Sequence, residues 1–155
     1  MGRTGYYYDP DAPAANTLIP ASNLLVVDDH GAILLQRRRD IGQWALPGGA
    51  QDIGETAAQC AVRECLAESG IVAEITGFLG VYTNPHHIVA HTDGEVRQQY
   101  ENTYIGRPVG GAPTINDEAD DVRFVHPDDL DNYDIHPSMR QQIGDYLAGT
   151  YPYLG

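Results

Sequence analysis

Gly48-Gly49-Ala50-Gln51-Asp52-Ile53-Gly54-Glu55-Thr56-Ala57-Ala58-Gln59-Cys60-Ala61-Val62-Arg63-Glu64-Cys65-Leu66-Ala67-Glu68-Ser69-Gly70-Ile71 is the stretch on which the fold of this chain turns. It reads as a loop, a helix and a stop. Thr56 followed by Gln59 is a capping-box start, and Gly70 can turn left-handed past the helix end, so a helix of about three turns is framed at both ends. Ala58, Ala61, Val62 and Cys65 recur at helical spacing as a small-sided apolar stripe, which lets the helix pack close to a sheet. Strands on either side of such a helix predict an α/β chain.

The other face of the helix carries the chemistry. Glu64 and Glu68 are one turn apart, where like charges cost a few tenths of a kcal/mol. Both lie toward the negative end of the helix dipole, which disfavours anions again. A divalent cation held between the carboxylates reverses both penalties. An isolated pair of this kind is more often a solvated acidic face; the flanking residues change the reading.

Gly49, Glu55, Arg63, Glu64, Glu68, Gly70 and Ile71 match Gly-x5-Glu-x7-Arg-Glu-U-x-Glu-Glu-x-Gly-U, where U is a bulky apolar residue. With the lead-in Trp44-Ala45-Leu46-Pro47-Gly48-Gly49, this resembles the signature of the Nudix hydrolase family. Cys65 at an aliphatic position is a harmless small hydrophobe. Ala67 is the larger departure, because it replaces the first glutamate of the family's Glu-Glu pair, a residue that often helps to bind metal.

The resemblance implies an α/β/α sandwich around a central mixed sheet and a metal-dependent hydrolase. Its reaction splits the diphosphate linkage of a nucleoside diphosphate joined to another moiety: a nucleoside triphosphate, an oxidised nucleotide or a nucleotide sugar. The cofactor implied is Mg2+ or Mn2+. Glu64 and Glu68 are the implied metal ligands, the Gly48 carbonyl is a further one, and Arg63 with Glu55 holds the carboxylates in place. Family members often recruit a glutamate from outside the motif as base or ligand. Glu118, then Glu95, are the candidates to compensate for Ala67. The alternative reading is a catalytically weakened Nudix-fold module that binds a nucleotide as a sensor.

The 155 residues suit one domain spanning 1–155 with a real core. No apolar run is long enough to span a bilayer and the N-terminus lacks an apolar signal core, so no membrane association and a cytoplasmic location are expected. Cys60 and Cys65, five apart on one helix, fit a reducing compartment better than a disulfide. The formal net charge of −13 argues against general nucleic-acid binding, which needs a basic footprint. A small diphosphate can still bind through metal and local arginines. A homodimer is compatible with the sequence, which does not decide oligomeric state.

Outside the motif, residues 1–16, with Tyr6-Tyr7-Tyr8, Pro10 and Pro13, read as an irregular arm. Thr17 to Asp28, the turn at Asp29-His30-Gly31 and Ile33 to Arg38 read as a β-hairpin. Arg37, Arg38 and Arg39 leave its second strand just before Gly48-Gly49. Strand alternation puts Arg37 and Arg39 on one face, and these two are the candidate phosphate contacts, with Gly49 beside them. Ile71 to Thr83 fits a long strand bent at Gly77 and Gly80. Asn84 to Gln99 reads as a polar loop, suited to a lid or specificity element, whose His86, His87 and His91 lack the companions of a zinc site. A strand from Tyr100, an acidic run at 116–121, a strand at Val122 to Val125 and a helical turn from Pro127 follow. The last helix runs from Pro137 to Gly149, with Met139, Ile143, Tyr146 and Leu147 inward. His136, at its mouth, is the candidate base-reading residue.

Overall fold

The computed structural model describes residues 2–155. The motif helix α1 (Ala57–Ser69) begins at Thr56, whose hydroxyl accepts a hydrogen bond from the Gln59 N–H while the Gln59 side chain accepts one from the Thr56 N–H. Gly70 ends it with φ 77° and its N–H on the Leu66 carbonyl. A Cβ there would lie 2.5 Å from the Ala112 carbonyl oxygen, so both backbone conformation and space require glycine.

The strands are β1 (Arg3–Tyr7), β2 (Pro20–Val26), β3 (Ile33–Arg38), β4 (Trp44–Ala45), β5 (Gly48–Ala50), β6 (Ile71–Tyr82), β7 (His87–His91), β8 (Val96–Gln98), β9 (Tyr100–Gly111) and β10 (Ala119–Val125). A 3-10 helix (Pro127–Asn132) precedes the last helix, α2 (Pro137–Ala148). The central sheet has the order β5-β2-β9-β6 and is mixed, because β2 and β9 run parallel while the other pairs are antiparallel. Two three-stranded sheets, β10-β3-β4 and β1-β7-β8, flank it.

Strands β2 and β3 are buried on both faces, which is why they read as continuous apolar runs instead of alternating ones. Leu24, Val26 and Leu34 point to one side, where they meet Ala61 and Cys65 of α1. Leu25, Ile33 and Leu35 point to the other, with Leu79, Ile105 and Ile143 of α2. The chain is therefore an α/β/α sandwich with α1 and α2 on opposite sides. Three register shifts along the β6–β9 ladder, two of them ending at Gly77 and Gly80, bend β6 where the glycines predict it.

Four expectations need correction. The N-terminal arm is not irregular throughout: Arg3–Tyr7 forms β1, paired antiparallel with β7. Strands β2 and β3 do not form a hairpin. Both edges of β2 are taken by β5 and β9, which leaves only the single bridge Val27–Ile33 beside the turn that Asp28 caps. The segment 84–99 is no open loop but contains the β7–β8 hairpin, docked on β1. Leu147 faces outward at 49% exposure, and Ile143 carries the inner face of α2.

Candidate active site

Gly48 and Gly49, the first two residues of β5, lie directly against the acidic face of α1. The Gly48 N–H donates to Glu68 Oε2 at 2.8 Å. A Cβ on Gly49 would lie 2.7 Å from the Glu64 carboxyl carbon, so only glycine lets this backbone approach the carboxylate so closely. The motif's glycine and its glutamate are thus one steric unit.

Arg63 ties the face together. Its Nε donates to Glu55 Oε2 at 2.9 Å, Nη2 to Glu55 Oε1 at 2.7 Å and to the Ala50 carbonyl at 3.1 Å, and Nη1 to Glu64 Oε1 at 2.7 Å. Glu55 also accepts the Asp52 N–H at 2.8 Å. The bidentate arginine contact lowers the Glu55 carboxyl to about 2, with the Asp52 amide adding to it. Glu55 therefore serves as the anchor of Arg63, and Arg63 as the positioner of Glu64.

Glu68 is in the opposite situation. It is 4% exposed, and burial pushes its carboxyl up to about 8 against the help of the Gly48 amide, with Glu118 and Glu64 nearby raising it further. Glu118 reaches it from the loop before β10. Asn116 Nδ2 donates to the Glu68 carbonyl at 2.6 Å, and Asn116 Oδ1 accepts the Glu118 N–H at 2.9 Å. The structure thus brings Glu64, Glu68 and Glu118 to one edge of α1. Glu95 is elsewhere, held by Arg97 at the β7–β8 turn. Ala67 is exposed. Among the described residues, no three His, Cys, Asp or Glu side chains form a ready metal cage.

Beside Gly48 and Gly49 opens a cavity of about 350 Å³. Asn23, Glu101, Met139, Tyr7, His87 and His136 are among the residues that line it. The His136 ring stacks on that of His87 at 5.0 Å, and Tyr7 meets both edge-on. Burial lowers the His87 imidazole to about 4 and moves His136 in the same direction, so both rings are neutral at pH 7. His136 also caps α2, its Nδ1 accepting the Ser138 N–H at 3.1 Å.

The arginine expectation is reversed. Arg37 lies outside the cavity, paired with Asp120 at 2.7 Å beside the Trp44 ring, and Arg39 donates to the Asn116 carbonyl. Alternation along β3 does separate them from Arg38, and it is Arg38 that lines the cavity. Arg3, Asn23, Glu101 and Gln142 were not singled out from the sequence. Asn23 Nδ2 donates to Gln142 Oε1 at 2.7 Å and to Glu101 Oε2 at 3.2 Å, and Gln142 Nε2 donates to the same oxygen at 2.9 Å. These partners come from β2, β9 and α2, so no local spacing announces them.

A model of the NUDIX domain matches residues 17–146. The chain is 32% identical over 128 residues to a Bacillus subtilis (strain 168) protein provisionally named an 8-oxo-dGTP diphosphatase, covering 82% of this chain and 78% of that one. It is 30% identical over 128 residues to the nucleoside triphosphatase NudI of Escherichia coli O139:H28, covering 76% and 89%. A NUDIX hydrolase crystal structure from Nitrosomonas europaea superposes with a TM-score of 0.75 at 21% identity, over 90% of this chain and 78% of the other. The family model and these relatives define a hydrolase of the acid-anhydride class. The chain belongs to the Nudix family.

Proposed function

We propose that this Nudix hydrolase cleaves the diphosphate linkage of a nucleotide-type substrate, with Mg2+ or Mn2+ bound at Glu64 and Glu68, and with Glu118 as the further candidate base or ligand. One observation supports the reading: Glu64, gripped by Arg63, lies on Gly49, and the buried Glu68 accepts the Gly48 N–H, so both carboxylates back onto the glycine strand that lines the cavity. The donor set fits a hard divalent cation, which takes carboxylate oxygens alongside substrate phosphates and water. The crowding that drives Glu68 toward its protonated form is the misfit such a cation relieves. When bound, the metal neutralises diphosphate charge and lowers the pKa of an attacking water.

The protein groups have separate tasks. Arg63 and Glu55 fix the Glu64 carboxylate as a metal ligand. The Gly48 amide orients Glu68, and the Gly48 carbonyl is a further candidate ligand. The neutral His136 and His87 rings offer a stacking wall for a nucleobase in the cavity. The relatives' names span nucleoside triphosphates and 8-oxo-dGTP, and small substrates of this kind suit the cavity size.

Turnover of a panel of nucleotide diphosphates with Mg2+ or Mn2+, followed by released phosphate or monophosphate, tests the activity. Glu64→Gln should lower kcat by about two to four powers of ten while the melting curve is retained. An unimpaired rate would remove Glu64 from its role. The weakened-module reading rests on Ala67. Ala67→Glu separates the two: a large gain in kcat marks a crippled site, and an unchanged rate marks one that Glu118 already completes.

A further inference from the structure

Strand β1 turns one face to the cavity. Arg3, Gly5 and Tyr7 alternate along it and all three line the cavity, as do their cross-strand partners His91, Val89 and His87 on β7. The whole of β1 lies outside residues 17–146, the span matched by the NUDIX domain. Part of the cavity wall is thus contributed by a segment beyond the family domain.

Contacts at both ends fix this strand in place. Arg3 pairs with Asp40 at 3.8 Å, and Asp40 also accepts from Arg38 at 2.8 Å, which ties the start of β1 to the end of β3. Past the other end, Tyr8 holds a φ of 53°. A bulky residue in that conformation is strained and persists only where its surroundings over-determine it, and such strain gathers at ligand clamps. Here the Tyr8 N–H donates to the His86 carbonyl at 3.0 Å, its ring stacks on His86 at 4.6 Å, and its hydroxyl accepts from Asn84 Nδ2 at 3.0 Å. Between these two anchors the Tyr7 ring meets His87 at 5.4 Å and His136 at 5.2 Å, edge-on to both. One ring therefore joins β1, β7 and the mouth of α2. All three rings are half-buried, so each keeps free surface where it lines the cavity.

We infer that Tyr7 is a positioning residue that sets nucleobase preference: its two edge contacts hold the His87–His136 wall in place for the base. The inference rests on the diphosphate reading above and deepens it. Glu64 and Glu68 act on the diphosphate from α1, whereas Tyr7 acts on the base from β1. Removing its ring should therefore change which nucleotide binds and leave the chemical step alone.

Steady-state kcat and KM of the full chain for dGTP, dATP, dCTP, dTTP and ADP-ribose, each with Mg2+, provide the test. Tyr7→Ala should raise the KM of the nucleotide with the lowest KM about tenfold, the loss of two edge contacts, with kcat held within about twofold. The spread of kcat/KM across the nucleotides should narrow with it. Tyr7→Phe keeps the ring and should match the unsubstituted chain. Competitive inhibition by inorganic triphosphate, which has no base, should be the same in Tyr7→Ala as in the unsubstituted chain. Tyr7→Leu removes the ring but keeps an apolar side chain, and is read in the same way should Tyr7→Ala not fold. An unaltered KM and spread in the ring-less variants would overturn the assignment, and so would a Tyr7→Phe variant as impaired as they are. A parallel weakening of inhibition by inorganic triphosphate would overturn it too, because the whole site would then be disturbed. Absence of hydrolysis of every one of these nucleotides by the unsubstituted chain would instead remove the diphosphate reading on which it rests.

Discussion

Glu55 and Glu68 show how one helix face holds carboxylates in opposite states. Glu55 gains a bidentate arginine and a backbone amide, so its carboxyl falls to about 2. Glu68 has one amide to set against burial and two acidic neighbours, so its carboxyl rises to about 8. A carboxyl raised in the folded state stabilises the fold below its ordinary value of 4.5, and that contribution is lost as pH climbs through about 8. In chelator, Glu68→Gln, which keeps an acceptor for the Gly48 amide, should therefore melt increasingly above the unsubstituted chain between pH 4.5 and 8. Below that window the two melting temperatures should converge. A gap that is constant with pH, or that widens toward acid, would contradict the crowding of Glu68.

The motif helix is stable as an element because both its ends are built into its sequence. Thr56 and Gln59 satisfy each other's backbone N–H groups, and Gly70 closes the last turn. Thr56→Ala removes one side of that exchange and should cost about 1 kcal/mol, read as a lower urea midpoint with an unchanged slope. Local rules make such features legible. The same is true of the bend in β6 at Gly77 and Gly80, and of the start of α2 at His136 and Pro137. They fail for β2 and β3, where a well-formed turn at Asp28–Ala32 joins strands of two different sheets. A turn motif records how the chain reverses, and it carries no information about which edge a strand will offer to which partner. They fail again at 84–99, whose polar residues conceal a hairpin that becomes a sheet only by adding β1 from the N-terminus.

At the scale of the whole molecule, two apolar clusters on opposite faces of β2 and β3 hold α1 and α2 apart, and the cavity opens beside Gly48 and Gly49 of β5. The sequence by itself determined the acidic edge of the motif. Gly49, Glu55, Arg63, Glu64 and Glu68 lie within twenty residues, and helical periodicity places Glu64 and Glu68 on one face. Only the tertiary structure decided the walls around that edge. It turned Arg38 inward and Arg37 and Arg39 outward, brought Glu118 to Glu68, and assembled Asn23, Glu101 and Gln142 across separations of 41 to 119 residues. The physical reason is range. Backbone hydrogen bonding and helix periodicity act over a few residues and can be read locally, whereas a cavity lining depends on strand pairings and packing between segments distant in the chain.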